Sequence, residues 1–326
     1  MSPPRIRLLC LSAVLTCSLA LLLTCLAASA QTQATLRIAE FQVALDRQYF
    51  SPGCIDNRAG PQTGAALRAW QAANGLPVTG TFDDASAAKL KLSVLPFSRY
   101  KITAADVAEV GTAPEDWRAR AAQERMPYET LLELVAERCH TSQRFLRELN
   151  PQIAWEKVEV PAAVLVPNVI SDDAPPQAAQ VRINLTQKWL VVYDGKGKLC
   201  AFFPCSIGRD KMKRPTGDLQ IVAVAPHPNY TFDPKVFPES AAAQAIGSKL
   251  IIPPGPNNPV GSLWLSIGRP AASTEPPLAG YGIHGTPKPE EIGRTESHGC
   301  FRLANWNVER LGQMISVGTP VIVEGQ

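Results

Sequence analysis

The 326-residue sequence has no block of basic residues of the kind that binds nucleic acid, and its charges nearly cancel. Charged residues make up 19% of the chain, and the formal net charge is +3. If residues 1–30 are removed, two arginines leave with them, and 30 basic residues then face 29 acidic ones. This balance argues against nucleic acid or another polyanion as a general partner.

Histidine and cysteine are also scarce, with four histidines and eight cysteines in the whole chain. Five cysteines lie beyond residue 30, and an odd number in an oxidising compartment leaves at least one thiol unpaired or bound to another molecule. Cys200 and Cys205 lie in a strand-like run, where residues five apart face opposite sides, so we interpret both as buried apolar side chains. Nothing in the sequence requires Cys54 and Cys139 to pair, and Cys300 is the odd residue of the set.

The first thirty residues resemble an export signal. Arg5 and Arg7 precede an apolar run over residues 8–27, and Ala28-Ser29-Ala30 forms an A-x-A cleavage signature. This pattern predicts a cleaved signal peptide over residues 1–30. The length of the apolar run leaves an uncleaved membrane anchor as the alternative.

Residues 35–92 have the pattern of a small helical bundle. An apolar stripe begins at Leu36, a second amphipathic stretch runs from Thr63 to Asn74, and a short helix capped by Asp83 or Asp84 ends near Leu90. The stretch FSPGCIDNRAGPQTGAALRAWQAANGLPVTGTFD resembles the peptidoglycan-binding type 1 domain, from which Cys54 departs. The resemblance implies binding to the cell-wall polymer.

Residues 98–170 predict two short helices, Tyr128 to His140 and Ser142 to Leu149, followed by an Asn-Pro break and a strand from Val158 to Val166. This order is similar to a LysM-type glycan-binding module, without its usual glycine-containing lead. The alternative is a spacer domain. Residues 171–180 form a linker rich in proline and alanine.

Residues 181–326 predict a mostly-β domain with turns about every ten residues. The motif DGKG between Tyr193 and Leu199 indicates a hairpin, and the main helix is expected from Asn305 to Ser316. The predicted fold class is therefore a multidomain α + β chain. It has a small helical bundle, an α/β middle segment and a mostly-β C-terminal domain with one main helix.

The stretch YGIHGTPKPEEIGRTESHGCFRL concentrates the chemistry of the chain at residues 281–303. A cysteine attacks carbonyls as a thiolate, and a neighbouring imidazole takes up its proton. Glycines beside His284 and Cys300 allow sharp turns and a close approach of the backbone. Two alternatives remain open: the side chains are ordinary buried residues, or His284, His298, Cys300 and Glu296 hold zinc.

The combination of IHGT, twelve residues and SHGCFRL resembles the signature of the L,D-transpeptidase catalytic domain, the YkuD family. QKWLVVYDGKGKL, FPCSIG with RPTGDLQI, and NPVGSLWLSIG resemble other parts of the same family, so the resemblance covers about residues 181–324. It implies a mostly-β catalytic domain that uses a cysteine.

The resemblance also implies roles for individual residues. Cys300 is expected to be the nucleophile and His284 its general base, oriented through the backbone carbonyl of Gly285. His298, Gly299 and Cys300 are expected to form the oxyanion site, and His298 also to steady the cysteine loop.

Four further residues carry weaker expectations. Ser297 is expected to hold the cysteine loop by hydrogen bonds. Arg302 either meets a substrate carboxylate or locks the loop through an internal ion pair. Tyr281 and Trp264 are expected either to line the cleft or to be core aromatics.

The implied reaction is attack on the bond between the diamino acid and D-Ala of a peptidoglycan tetrapeptide stem, through a thioester and without a metal or cofactor. The acceptor is another stem, a free D-amino acid, an outer-membrane lipoprotein or water. The resemblance further implies the periplasm as location and carbapenems as covalent inhibitors. The alternatives are an L,D-carboxypeptidase or other thiol hydrolase, and a wall-binding protein without activity.

Overall fold

The computed structural model describes residues 36–90, 92, 95–171 and 173–325. The predicted signal peptide, residues 1–30, lies outside these described residues. No helix within the described ranges combines the length and the apolar character needed to cross a membrane.

Three helices build the N-terminal bundle: α1 (36–47), α2 (Pro61–Ala73) and α3 (Asp84–Lys89). Their apolar faces meet in a core around Leu67 and Trp70, both fully buried. Pro61 is the first residue of α2, where a backbone N–H would have no partner within the helix, so its absence costs no hydrogen bond. The Asp83 carboxylate caps α3 by accepting from Ser86 N at 2.7 Å.

The middle segment places its helices between two antiparallel strands, β1 (Phe97–Ile102) and β2 (Ala162–Pro167), with Phe97 opposite Pro167. The predicted strand over 158–166 thus starts four residues later, directly after Pro161, because proline cannot donate to a ladder. Thr130 and Ser142 cap the two predicted helices with their hydroxyl groups, so both start after these residues. The helices of the segment are α4 (Ala104–Ala108), α5 (Trp117–Ala121), α6 (Leu131–Arg138) and α7 (Gln143–Leu149).

The C-terminal domain is built on strands, which confirms the predicted fold class. Its strands are β3 (Gln180–Asn184), β4 (Trp189–Tyr193), β5 (Leu199–Pro204), β6 (Ile207–Gly208), β7 (Gly217–Pro226), β8 (Tyr230–Phe232), β9 (Leu250–Ile252), β10 (Leu263–Gly268), β11 (Gly282–His284), β12 (Thr295–Ser297), β13 (Phe301–Arg302) and β14 (Pro320–Glu324). Its helices are the short α8 (Ala241–Gln244) and the main helix α9 (Asn305–Met314).

Eight of these strands, all within the described residues, form one sheet in the order β13-β11-β10-β7-β14-β3-β4-β5. Two smaller pairs, β12-β6 and β8-β9, lie beside it. Helix α9 packs its apolar residues, among them Leu311 and Met314, into the core of the sheet. This packing fixes the edge formed by β11 and β13, where the motif residues lie.

A buried carboxylate joins all three parts of the chain. Asp46 of the N-terminal bundle lies 2.9 Å from His140 Nδ1 of the middle segment and 3.0 Å from Arg310 Nη1 of α9. Asp46 is fully buried, and His140 stacks on Trp306 with ring centroids 5.1 Å apart. Burial raises the pKa of Asp46, but Arg310 and His140 outweigh it, so the carboxyl pKa lies below its ordinary value.

Candidate active site

His284 ends β11 and is buried, and its ring is held from two sides. Its Nδ1 lies 2.7 Å from the carbonyl oxygen of Gly285, and the indole of Trp264 stacks on it at 5.3 Å and 16°. A carbonyl only accepts, so Nδ1 carries the hydrogen and donates it, and Nε2 is left with a free lone pair. The expected orientation through Gly285 is therefore the geometry of this site.

The surroundings of His284 keep it neutral. Burial lowers its pKa first and the nearby Arg302 cation lowers it further, while the bond to Gly285 opposes them, so that the pKa falls from 6.5 to about 3. At pH 7 the imidazole is therefore a proton acceptor.

Cys300 sits on a tight loop directly before β13. Ser297 Oγ donates to the carbonyl oxygen of Cys300 at 2.6 Å and accepts from Gly299 N at 3.3 Å, so its hydroxyl closes the loop from residue 297 to residues 299 and 300. Gly299 has φ +141°, and a Cβ there would lie 2.7 Å from both the Tyr281 ring and the Lys213 carbonyl oxygen. Only glycine fits this position.

The thiol of Cys300 is half-buried, and its sulfur lies 3.7 Å from the carbonyl oxygen of Gly280. Burial raises its pKa above the ordinary 9.0, and a backbone hydrogen bond from Gly282 and the charge of Arg302 offset part of the rise. Strands β11 and β13 are parallel, with Ile283 opposite Phe301, so the cysteine loop adjoins the strand that carries His284. No hydrogen bond links thiol and imidazole, both of which are described, and the resting pair is neutral.

Arg302 forms an ion pair with Glu296, Nη1 to Oε1 at 3.2 Å. This is the internal ion pair expected for Arg302, and its contact with a substrate carboxylate stays a prediction. The guanidinium acts on the site through its charge, which lowers the pKa of both His284 and Cys300.

The His298 side chain has its contacts outside the histidine–cysteine pair. Its exposed ring packs edge-on against Phe237 at 4.6 Å, and its Nε2 lies 3.3 Å from Glu239 Oε1. Both partners belong to the segment between β8 and β9, residues 233–249. These contacts connect the cysteine loop to that segment, and the expected steadying role of His298 stays a prediction.

The described residues contain no group of three or more His, Cys, Asp or Glu side chains arranged to hold a metal ion. A zinc site would require the side chains of His298 and Glu296 as ligands beside His284. His298 instead pairs with Glu239, and Glu296 pairs with Arg302. The five cysteines of the described part are free thiols, Cys54 and Cys139 included.

The remaining predicted residues lie around the pair. The Tyr281 ring borders Gly299, and Trp264 lies against His284 with its indole N–H on Ser266 Oγ at 2.8 Å. Both aromatics are half-buried, and Tyr281 packs against the core of the sheet. That either side chain lines the cleft stays a prediction.

Sequence reasoning missed four residues near the site: Tyr230, Phe237, Glu239 and Asn305. Burial raises the pKa of Tyr230 to about 12, and the charge of Cys300 contributes to the rise. Phe237 and Glu239 come from a strand connection about 60 residues from the motif, and no local pattern in the sequence relates them to it. The sequence marked Asn305 only as the first residue of the predicted main helix, and not as part of the site.

Two parts of the chain match known domain families. Residues 178–323 match the L,D-transpeptidase catalytic domain, YkuD, and residues 36–90 match the "Putative peptidoglycan binding domain".

Curated relatives carry matching names. "Putative L,D-transpeptidase YkuD" of Bacillus licheniformis is 25% identical over 60% of this chain and 94% of its own length. "Putative L,D-transpeptidase YqjB" of Bacillus subtilis is 30% identical over 42% of this chain and 66% of its own length. "Probable L,D-transpeptidase YbiS" of Escherichia coli is 28% identical over 50% of this chain and 48% of its own length.

Solved structures show only distant similarity. The L,D-transpeptidase from Xylanimonas cellulosilytica has a TM-score of 0.34 at 15% identity, over 88% of this chain and 93% of that one. The L,D-transpeptidase from Mycobacterium smegmatis has a TM-score of 0.31 at 19% identity, over 50% of this chain and 66% of that one.

Proposed function

From the premise that residues 178–323 belong to the YkuD family, which makes the protein an L,D-transpeptidase acting on peptidoglycan, we propose that Cys300 is its nucleophile and His284 its general base. The observation that carries this assignment is the buried, neutral His284, whose Nδ1–H is fixed on Gly285. Its Nε2 is then the free acceptor on the strand next to the cysteine loop.

The proposed first half-reaction forms a thioester. The thiol proton of Cys300 passes to Nε2 of His284, and the sulfur attacks the carbonyl carbon between the diamino acid and D-Ala of a tetrapeptide stem. The negative charge moves to the carbonyl oxygen, and backbone N–H groups of the loop formed by His298, Gly299 and Cys300 are the donors proposed to stabilise it. When the C–N bond breaks, the imidazolium returns its proton to the amine of D-Ala.

The three backbone N–H groups proposed as donors have different roles. The N–H of Gly299 is engaged by Ser297 Oγ at 3.3 Å, so that group supports the loop, and the N–H groups of His298 and Cys300 are the stronger candidates for the oxyanion.

The second half-reaction transfers the acyl group. An amine gives a proton to His284 and attacks the thioester carbon, the C–S bond breaks, and the thiol is restored. If the amine belongs to another stem, the product is a 3→3 crosslink; D-amino acid exchange and attachment to an outer-membrane lipoprotein are the other amine acceptors. Water as acceptor defines the alternative function, an L,D-carboxypeptidase.

The N-terminal bundle would hold the enzyme on its substrate polymer. The match of residues 36–90 to a peptidoglycan-binding domain supports this role, because tethering raises the effective concentration of stems near the site. A periplasmic location, or anchorage by an uncleaved N-terminal segment, is part of the same proposal.

Mass-spectrometric analysis of products from a disaccharide-tetrapeptide tests this function. The wild-type chain is expected to release D-Ala and form a crosslinked dimer, and Cys300→Ala to form neither while still sedimenting with insoluble peptidoglycan. Release of D-Ala without dimer would favour the carboxypeptidase. Turnover by Cys300→Ala would refute the cysteine mechanism, and an inactive wild type that still binds wall would favour a binding protein without activity.

A further inference from the structure

The middle segment reaches the catalytic domain through a carboxylate that the proposed mechanism does not use. Glu137 lies on α6 and is half-buried. Its Oε2 accepts from Asn305 Nδ2 at 3.0 Å, and its Oε1 accepts from the Tyr128 hydroxyl at 2.9 Å. Asn305 is the first residue of α9 and only 1% exposed.

The other end of the Asn305 amide supports a backbone turn of the catalytic domain. Asn305 Oδ1 accepts from Ser262 N at 3.2 Å, and its Nδ2 also lies 3.4 Å from the carbonyl oxygen of Pro256. The Ser262 N–H can only donate, so the Asn305 amide oxygen faces the turn and its NH₂ group faces Glu137. Glu137 thus holds the Asn305 amide from the side opposite the turn.

Gly285, whose carbonyl holds the catalytic histidine, packs against Gly261 of that turn. A Cβ on Gly285 or on Gly261 would lie 2.1 Å from Asn305 Oδ1, so the amide oxygen is wedged against both glycines. The carbonyl oxygen of Gly285 in turn holds His284 Nδ1 at 2.7 Å. One continuous series of contacts thus runs from Glu137 through Asn305 and Gly285 to His284.

We propose that Glu137 is a positioning residue for His284: by holding the Asn305 amide against Gly285, the middle segment sets the tautomer and orientation of the catalytic base. This inference rests on the proposed function of His284. It gives the middle segment a part in catalysis in addition to any binding or spacing role.

The electrostatics around Glu137 are compatible with this role. Burial raises its pKa, Glu309 and Glu133 raise it further, and the hydrogen bonds from Tyr128 and Asn305 oppose them, for a value of about 8. Charged or protonated, the carboxyl group keeps an oxygen that accepts from Asn305.

The chain offers a matched control on the same helix. Glu133 Oε1 accepts from Asn257 Nδ2 at 2.8 Å, which is also a bond between α6 and an asparagine of the catalytic domain. The Glu133 side chain forms no hydrogen bond with Asn305 or Gly285; its other oxygen, Oε2, accepts from Glu129 N at 2.6 Å at the start of α6. Glu133→Leu removes a bond between α6 and the catalytic domain of the same kind and leaves the hydrogen bonds of the series to His284 in place.

The test compares the full-length wild type with Glu137→Leu, Glu137→Gln and Glu133→Leu. One readout is the second-order rate constant for acylation of Cys300 by a carbapenem, followed by intact mass. The other is the pair of imidazole ¹⁵N shifts of His284, assigned with His284→Gln. Small displacements of catalytic groups cost large factors in rate, so Glu137→Leu should slow acylation by about tenfold or more and change the His284 shifts. Glu137→Gln, which keeps an acceptor oxygen, should retain most of the rate.

The proposal is overturned if Glu137→Leu keeps the wild-type rate and shifts, or if Glu133→Leu loses as much as Glu137→Leu. If Glu137→Leu does not fold, judged by circular dichroism, Glu137→Asn takes its place, because its shorter side chain withdraws the oxygen from Asn305 while keeping a polar group. A wild type that no carbapenem acylates would instead contradict the proposed function of Cys300.

Discussion

At the scale of single residues, the site pairs a neutral imidazole with a neutral thiol. Burial sets this state on both sides, because it lowers the pKa of His284 and raises that of Cys300. Proton transfer therefore belongs to the reaction with substrate and not to the resting enzyme. This differs from a preformed thiolate–imidazolium pair, in which the thiol pKa is strongly depressed.

The neutral pair predicts two different pH dependences. Because His284 stays unprotonated down to a pKa of about 3, the acid limb of acylation by a β-lactam should lie well below pH 6.5. Simple alkylation by iodoacetamide needs the thiolate, so its rate should still rise as pH passes 9. Stopped-flow or mass measurements between pH 4 and pH 10 give both profiles. An alkylation rate already constant near pH 7 would indicate a preformed ion pair and contradict this description.

The residues that the sequence made predictable are those whose roles depend on near neighbours in the chain. Gly285 follows His284, and Ser297 and Gly299 lie within three residues of Cys300, so the motif itself carries these contacts. Glu239 pairs with His298 across 59 residues, and Glu137 with Asn305 across 168. Neither the spacing nor the residue types of such pairs marks them in a single sequence.

At the scale of elements, the sequence predicted the helix ends that depend on residues close together in the chain. Asp83 caps α3 as expected, and α9 begins at the predicted Asn305. The pattern did not reveal α5 or the β8-β9 pair. Their apolar residues face each other instead of a continuous core: Trp117 stacks on Phe232 at 4.4 Å, and Phe237 joins Phe232 at 5.4 Å.

One buried side chain determines the loop of the N-terminal bundle. Gln71 of α2 is fully buried, its Oε1 accepts from Thr79 N and Gly80 N at 2.9 Å each, and its Nε2 donates to Ser86 Oγ at 3.0 Å. Gln71→Ala should reduce the free energy of unfolding by about 2 kcal/mol, since it leaves buried polar groups without partners. It should also weaken sedimentation with peptidoglycan.

Urea unfolding of the full chain measures the first effect and a pelleting assay the second. Gln313→Ala, the same change at an exposed position on α9, serves as the control and should alter neither result appreciably. Equal stability of Gln71→Ala and wild type would show that the Leu76–Phe82 loop does not depend on the buried amide.

At the scale of the whole molecule, Asp46 holds the three parts of the chain together. Asp46→Ala would leave the buried His140 and Arg310 without their shared partner. Removing one member of a buried ion pair typically costs about 3 to 5 kcal/mol, so the cooperative unfolding transition should move to lower denaturant or split in two.

The control for this change is Glu156→Ala, which breaks an exposed ion pair with Arg147 and should leave the transition nearly unchanged. Because the folded pKa of Asp46 lies below its ordinary value, its contribution is complete at neutral pH and is lost as pH falls through the folded value. An Asp46→Ala protein that unfolds like the wild type would mean that apolar packing alone joins the three parts.

The arrangement of the parts was not predictable from the sequence, because it depends on contacts such as Asp46 with Arg310, 264 residues apart. The fold class and the two family matches required only patterns within each part.

The central claim, an activated Cys300 in an acyl-accepting site, is tested most directly by the intact mass of the full-length protein after incubation with a carbapenem. We predict one adduct on wild type, one on Cys200→Ala and none on Cys300→Ala. Cys200 serves as the control because it is also a half-buried thiol, and burial raises its pKa to about 11. An unmodified wild type, or an adduct that persists in Cys300→Ala, would contradict the central claim.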